Sequence, residues 1–432
     1  MKTIDILKNI VRGACFLGSG GGGGYQTGMK FVDDYLRERP DASLKISAID
    51  EVDSKKTGII VAYMGAPEKM QNVQCPDAVI AGINKFLEIN KTNSPDLNID
   101  YIIPVEIGPI SSAAACLASM ALDIPVLDLD GAGRAVPTLD LITYSTNGGI
   151  SVNPTILSSE NIGTTEPKYH QIILEISDDT VAGAASKMES LARPVLSMSE
   201  FDQKAGLVMW YFDDVRKLKD ENVSIKGTLT ICRELGEIIY GMQQSESPEM
   251  SKIQTYFNSL RNFIYGDVYE FISEKCSGKL LQATTQTSGG FDLGTITIES
   301  GEHIYRILFQ NESLILWDSK SPEPLIMAPD LISYLIKYDN EENEEDIKHQ
   351  LVYTNDDIME NGKLRKELVN ADITVYGIRA PKELRETEKN VMKLRNLLRE
   401  KYLEADESNL PKQYMNILNA MGYYGEYLPL KK

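Results

Sequence analysis

YIIPVEIGPISSAAACLASMALDIPVLDLDGAGRAVP, residues 101–137, decides the architecture. Two apolar, β-branched runs, YIIPVE (101–106) and IPVLDLD (124–130), flank the small-residue stretch SAAACLASMAL (112–122). Strands that lack polar alternation are covered on both faces. A helix between two such strands makes a parallel pair.

The rhythm extends upstream. TGIIVAY (57–63) reads as another buried strand, followed by the loop MGAPE and a helix over roughly 77–91. Residues 4–12 carry Ile4, Leu7, Ile10 and Val11 at helical spacing, and TGMKFVDDYLRER (27–39) reads as a helix with Thr27 as its N-cap. Between these two helices lies FLGSGGGGGYQTG (16–28).

Beyond residue 165 the texture changes. Residues 180–192 and 227–242 read as helices, and from about 279 the runs KLLQATTQT, LGTITIE, HIYRILFQ and SLILWD read as antiparallel strands separated by turn residues. Residues 384–405 form a charged amphipathic helical pattern. The expected fold is an α/β N-terminal domain with a mainly parallel sheet (1–166), a β-rich, α+β C-terminal domain (167–380) and a helical extension (381–432).

Composition narrows the function classes. The 432 residues are 42% hydrophobic and 25% charged, as in soluble globular proteins. No long apolar run suggests a membrane span, and the N-terminus does not read as a secretory leader, so a cytoplasmic protein is expected. The net charge of −19 argues against nucleic acid as a partner. Much of that charge is local, in DNEENEED (339–346), which reads as a solvated loop. Five scattered cysteines form neither a disulfide framework nor a CxxC pair, and three scattered histidines form no zinc motif.

In an open parallel sheet, ligands bind beyond the carboxyl ends of the strands. The loops there are 64–68, with Gly65; 106–112, with Glu106, Gly108, Ser111 and Ser112; and 128–137, with Asp128, Asp130, Gly131 and Arg134. Carboxylates at strand ends serve as general bases or cation ligands. Arg134 offers a bidentate fork for a carboxylate or oxyanion, and the helix beginning near Ser111 presents free N–H groups. Plainer readings stand beside these. Asp128 is also placed to cap a turn or helix, Glu106 and Arg134 to pair with each other, and Cys116 to fill core; Cys75, before Pro76, is a weak nucleophile candidate.

The glycine run, Gly20, Gly21, Gly22 and Gly23 above all, lacks the Gly-Lys-Ser/Thr of a Walker loop, since Met29 follows Gly28. It also lacks the preceding strand of a dinucleotide fingerprint. Neither ATP nor NAD is therefore expected on it. What remains is a backbone-rich loop suited to a polar or anionic group, or a tight packing turn.

GACFLGSGGGG, MGAPE, PVEIG, PVLDLDGAGRAVP, TSGGF, FQNESL and PDL occur in the order seen in the S-methyl-thiohydantoin desulfurase-like family, and the chain resembles that family from about 13 to 380. The resemblance implies an N-terminal α/β and a C-terminal β-rich domain. It implies hydrolytic desulfurisation, or a related hydrolysis, of a hydantoin-type five-membered ring. Zinc accompanies related desulfurising activity, without ligands assignable here. Members accompany hydantoinase/oxoprolinase subunits, so the expected partners are a small cyclic substrate and either another copy of the chain or a hydantoinase-like protein. The competing readings are a non-catalytic accessory subunit and a nucleotide-binding protein.

Overall fold

The computed structural model describes residues 1–65, 67–220, 222–260, 269–288, 291–338, 348–385 and 430. The acidic run 339–346, most of the helical pattern at 384–405 and nearly all of the C-terminal extension lie outside these residues. No described helix is long and apolar enough to cross a membrane.

Among the described residues the first sheet has seven strands. Four of them, β1 (Ile46–Ser47), β2 (Gly58–Gly65), β3 (Tyr101–Pro104) and β4 (Val126–Leu127), run parallel in the order β1-β4-β3-β2. The sheet continues antiparallel from β2 through β8 (Lys204–Phe212) and β6 (Thr155–Ser158) to β7 (Gln171–Leu174), so two strands beyond residue 166 complete it. Alternate residues of β2 enter different cores. Ile59 and Val61 pack with the helices Thr3–Leu17 and Pro109–Leu122, while Ile60 and Ala62 pack with Trp210 and the helix Val181–Leu196. Both faces are covered, which explains the missing polar alternation.

The segment IPVLDLD is not one strand. It breaks at Asp128, and β5 (Leu129–Asp130) leaves the sheet to pair antiparallel with β9 (Ile225–Lys226). The break follows from Asp128, whose carboxylate turns aside to accept from the Thr230 N–H at 3.0 Å and from the Thr230 hydroxyl, at the start of the helix Thr228–Gln243.

The second sheet is antiparallel. It comprises β10 (Glu270–Ser288), β11 (Phe291–Ser300), β12 (His303–Gln310), β13 (Glu312–Asp318), β14 (Ile326–Met327), β15 (Leu331–Lys337), the short β16 (Met359–Glu360) and β17 (Lys363–Leu364), and β18 (Asp372–Arg379). Its own core gathers Leu280, Ile296, Ile307, Leu316 and Ile332.

The two halves are joined through the glycine run. The helix after it spans Tyr25–Glu38, and its N-cap is Gly24, not Thr27. Gly24 has no side chain to accept the orphan N–H groups. Asp357 supplies the acceptor from the β-rich domain, taking the Tyr25 N–H at 2.9 Å. Ser19 accepts from Ser313 N–H and Gly20 from Asn355 N–H through their carbonyls, at 2.8 and 2.7 Å. The run is thus neither a linker nor a phosphate loop after a strand.

Candidate functional site

A cavity of about 460 Å³ lies between the α/β and β-rich halves. All four loops singled out above reach it: Gly21, Gly22 and Gly23; Met64 and Gly65; Glu106 and Ser111; Val136 and Pro137. The β-rich half contributes Asp292, Asn311, Glu312 and Asp356.

Glu106 follows β3 directly. Its carboxylate accepts the Val136 N–H at 2.8 Å and the Ser111 hydroxyl at 3.3 Å. Burial nevertheless raises its pKa to about 8, with repulsion from Asp130 adding to the rise and the two hydrogen bonds opposing it. Glu312 sits at the start of β13, after a single-residue turn at Asn311, whose φ is 55°. It is 4% exposed and its Oε2 has no hydrogen-bond partner among the described residues. Burial, then repulsion from Glu106, pushes its carboxyl well above the usual range. The two environments separate the groups. Glu106, with two donors, is the one of the pair that ionises first as pH rises; Glu312, with a bare oxygen, holds its proton more firmly.

Glycine is required here by close approach. A Cβ on Gly22 would meet the Gly108 Cα at 2.4 Å, and one on Gly21 would meet the Glu312 carboxylate oxygen at 2.3 Å. Gly22 also has φ 76°, unfavourable for a side chain. The run lets backbone lie against both Glu312 and the helix that begins at Pro109. The amides of Gly22 and Gly23 have no acceptor among the described residues.

Other expected site residues lie elsewhere. Gly20 packs on Asn355 and Gly108 beneath Gly22. Ser112 is fully buried and accepts from the Gly108 N–H at 3.5 Å. Gly131 packs against Ile142 and Tyr144. Asp128 caps a helix, its plainer reading. Asp130 is fully buried, and its Oδ2 accepts the Ala132 and Gly133 N–H groups at 2.8 and 2.7 Å. Burial lifts its pKa to about 7.

Arg134 does not line the cavity, contrary to its expected role on substrate. It is 1% exposed. Nε donates to Ala135 at 2.9 Å, Nη1 to Pro329 and Asp330 at 2.9 and 3.0 Å, and Nη2 to Ser313 at 3.0 Å, all at main-chain carbonyls. The planar fork is used to bind one domain to the other. Its positive charge still opposes the raised pKa values of Glu106 and Glu312 from behind the wall. Cys75 and Cys116 are buried thiols whose pKa values burial raises, and neither lines the cavity.

Residue reading missed the acidic groups of the second domain. TSGGF runs into Asp292, and FQNESL contains Asn311 and Glu312; the turn chemistry of Asn was the available signal. Asn311 joins these segments, since its side-chain oxygen accepts the Asp292 N–H at 2.8 Å.

The zinc expectation meets a poor donor set. No group of three or more His, Cys, Asp or Glu residues placed to hold a metal occurs among the described residues, and the cavity lining includes neither His nor Cys. These residues do not fit a zinc site.

A mixed α/β sheet whose parallel strands end at the site, joined to an antiparallel domain with a carboxyl-lined cavity between them, is a two-domain architecture. Residues 5–165 match the S-Me-THD-like N-terminal domain and residues 184–392 the S-Me-THD-like C-terminal domain, and the chain belongs to this family. An X-ray structure of a protein from Chromobacterium violaceum is similar at TM-score 0.70 and 24% identity, over 99% of each chain, which shows a shared fold. No curated protein matches.

Proposed function

We propose that the chain hydrolyses the carbon–sulfur bond of an S-methyl-thiohydantoin-type ring bound in the interdomain cavity. The observation that carries this reading is the pair Glu106 and Glu312, brought from different domains to one cavity, the first held by two hydrogen-bond donors and the second with an unpartnered oxygen. Membership of the S-Me-THD-like family supports the ring class.

Glu106 takes a proton from water as its oxygen bonds to the ring carbon bearing sulfur. Negative charge moves onto the ring, where the Gly22 and Gly23 amides offer hydrogen bonds. The carbon–sulfur bond then breaks, and Glu312 gives its proton to the leaving thiolate. Ring N=C–SCH3 and water become ring HN–C=O and methanethiol, the second water proton ending on the ring nitrogen, and the proton on Glu106 passes to Glu312 directly or through solvent. Ser111 and Val136 hold Glu106 in place.

The test is methanethiol release from S-methyl-thiohydantoins by wild type, Glu106→Gln and Glu312→Gln. Release by wild type, abolished in both variants while ring binding persists, is expected. An accessory protein would release none. Undiminished release by both variants would sink the assignment.

A further inference from the structure

The first sheet ends differently at its two sides. β1, like β14 and β16 at the ends of the second sheet, has two residues. The longer β15 has its free side met by Ser19 and Leu351, which accept the Ile332 and Ile336 N–H groups at 2.9 and 3.0 Å. β7 ends the first sheet with four residues, QIIL, and holds neither a charge nor a proline. Short length, charge and proline are what keep edge strands from pairing; a strand without them is a template for another.

Pairing with β6 fixes which groups of β7 are left over. The His170 carbonyl accepts the Ser159 N–H at 2.9 Å, and Ile172 and Leu174 follow it on the inner side, opposite Leu157 and Thr155. Asn153 takes the Ile176 N–H on that same side at 3.0 Å. By alternation Gln171, Ile173 and Glu175 turn their N–H and C=O groups outward. Among the described residues no other segment meets these main-chain groups. Apolar exposure gathers in the same region. Of the six exposed large hydrophobic side chains among the described residues, Ile162, Ile173, Leu191 and Met198 lie between 162 and 198.

Charge constrains what can cover this edge. A chain of net charge −19 repels its own copy unless the contact orders charge favourably. Around β7 the order is basic, apolar, acidic: Lys168 precedes QIIL, and Glu175, Asp178 and Asp179 follow it. Antiparallel pairing of this segment with itself sets the basic end of one strand beside the acidic end of the other. Outward-facing residues must oppose outward-facing residues, and a two-fold axis at Ile173 satisfies this. It sets Ile173 against its own copy, Ile172 against Leu174 and Gln171 against Glu175. It also carries Lys168 toward Asp178, which holds Lys187 as well, and the exposed Asp179, while Glu166 comes opposite Thr180.

We propose that β7 pairs with β7 of a second copy, antiparallel about a two-fold axis at Ile173, joining two seven-stranded sheets into one. Pairing at β7 does not depend on the ring chemistry.

Sedimentation velocity of the full chain over a concentration series tests it, with wild type, Ile173→Lys, Ile173→Cys and Glu175→Cys. Wild type should sediment as a dimer. Ile173→Lys sets two ammonium groups against each other and removes the apolar contact, which should weaken the dimer at least ~10-fold with native circular dichroism retained. The chain's own five cysteines are buried, so mild oxidation reports the introduced thiols. Opposed Cα atoms lie about 5.5 Å apart in such a pair, within disulfide reach, so Ile173→Cys should cross-link. Two copies of residue 175 lie roughly 13 Å apart in this register, and Glu175→Cys should not. If Ile173→Lys loses its native circular dichroism, the two cysteine variants decide alone. A monomeric wild type at every concentration, a dimer unchanged by Ile173→Lys, or cross-linking as fast at Glu175→Cys as at Ile173→Cys overturns the proposal.

Discussion

The loops after β3 and β5 are built from the same ingredients, a buried carboxylate with glycines close behind, yet they end in different roles. Glu106 takes one backbone N–H and one hydroxyl and still lines the cavity. Asp130 takes two backbone N–H groups of its own turn and is sealed from it. Both have raised pKa values, to about 8 and about 7. A perturbed carboxyl therefore marks burial first; access to a cavity is what turns it into a candidate for chemistry.

The largest effect that sharpens this contrast is on turnover. Glu106→Gln should lower methanethiol release by ~10³-fold or more, in the range of a lost general base. Asp130→Asn should change turnover per folded molecule by no more than a few-fold, since Asp130 reaches the site only through its charge on Glu106. Comparable losses in both would erase the distinction between the loops.

Next comes Arg134→Lys, which should cost about 3 kcal/mol of stability, because a single ammonium cannot reproduce four fork contacts to buried carbonyls. Its reading is a lower denaturation midpoint with unchanged KM. A stable variant with a raised KM would return Arg134 to the substrate.

The pH dependence is intermediate. Glu106, Glu312, Asp356 and Asp130 all have folded pKa values above their unfolded ones. Between about pH 4.5 and 8 the folded chain holds more protons than the unfolded one, so stability falls as pH rises through that window. Melting curves should show this decline, and Glu106→Gln should make it shallower. Turnover should rise in the same direction as Glu106 ionises toward pH 8. A melting temperature that rises from pH 5 to 8 contradicts the raised values.

The smallest effect is Asp128→Ala, about 1 kcal/mol for a lost helix cap, with kinetics unchanged.

The α/β half was legible because its signals are local. Strands such as IIVA and the small-residue helix at 109–122 announce themselves by composition, and the preference of ligands for the carboxyl ends of parallel strands then points to the loops beyond them. Glu106 and Ser111 were singled out that way, and both line the cavity. Arg134 was misassigned because its partners, Ser313, Pro329 and Asp330, are main-chain carbonyls nearly two hundred residues away and leave no trace in neighbouring sequence. Glu312 and Asp356 were missed for the same reason: each looks like an ordinary polar residue at a strand end or turn. Thr27 failed as a cap because Asp357 reaches the helix first.

The hydrogen bonds of Ser19 to Ile332 span 313 residues. On the ribosome, Ser19 therefore emerges 313 residues before Ile332, its partner. Loop closure over such a distance comes late and opposes rapid folding. A nascent chain stopped before β13 would carry Glu106 and the glycines but no Glu312, so the two carboxyls can meet only once synthesis has passed β13.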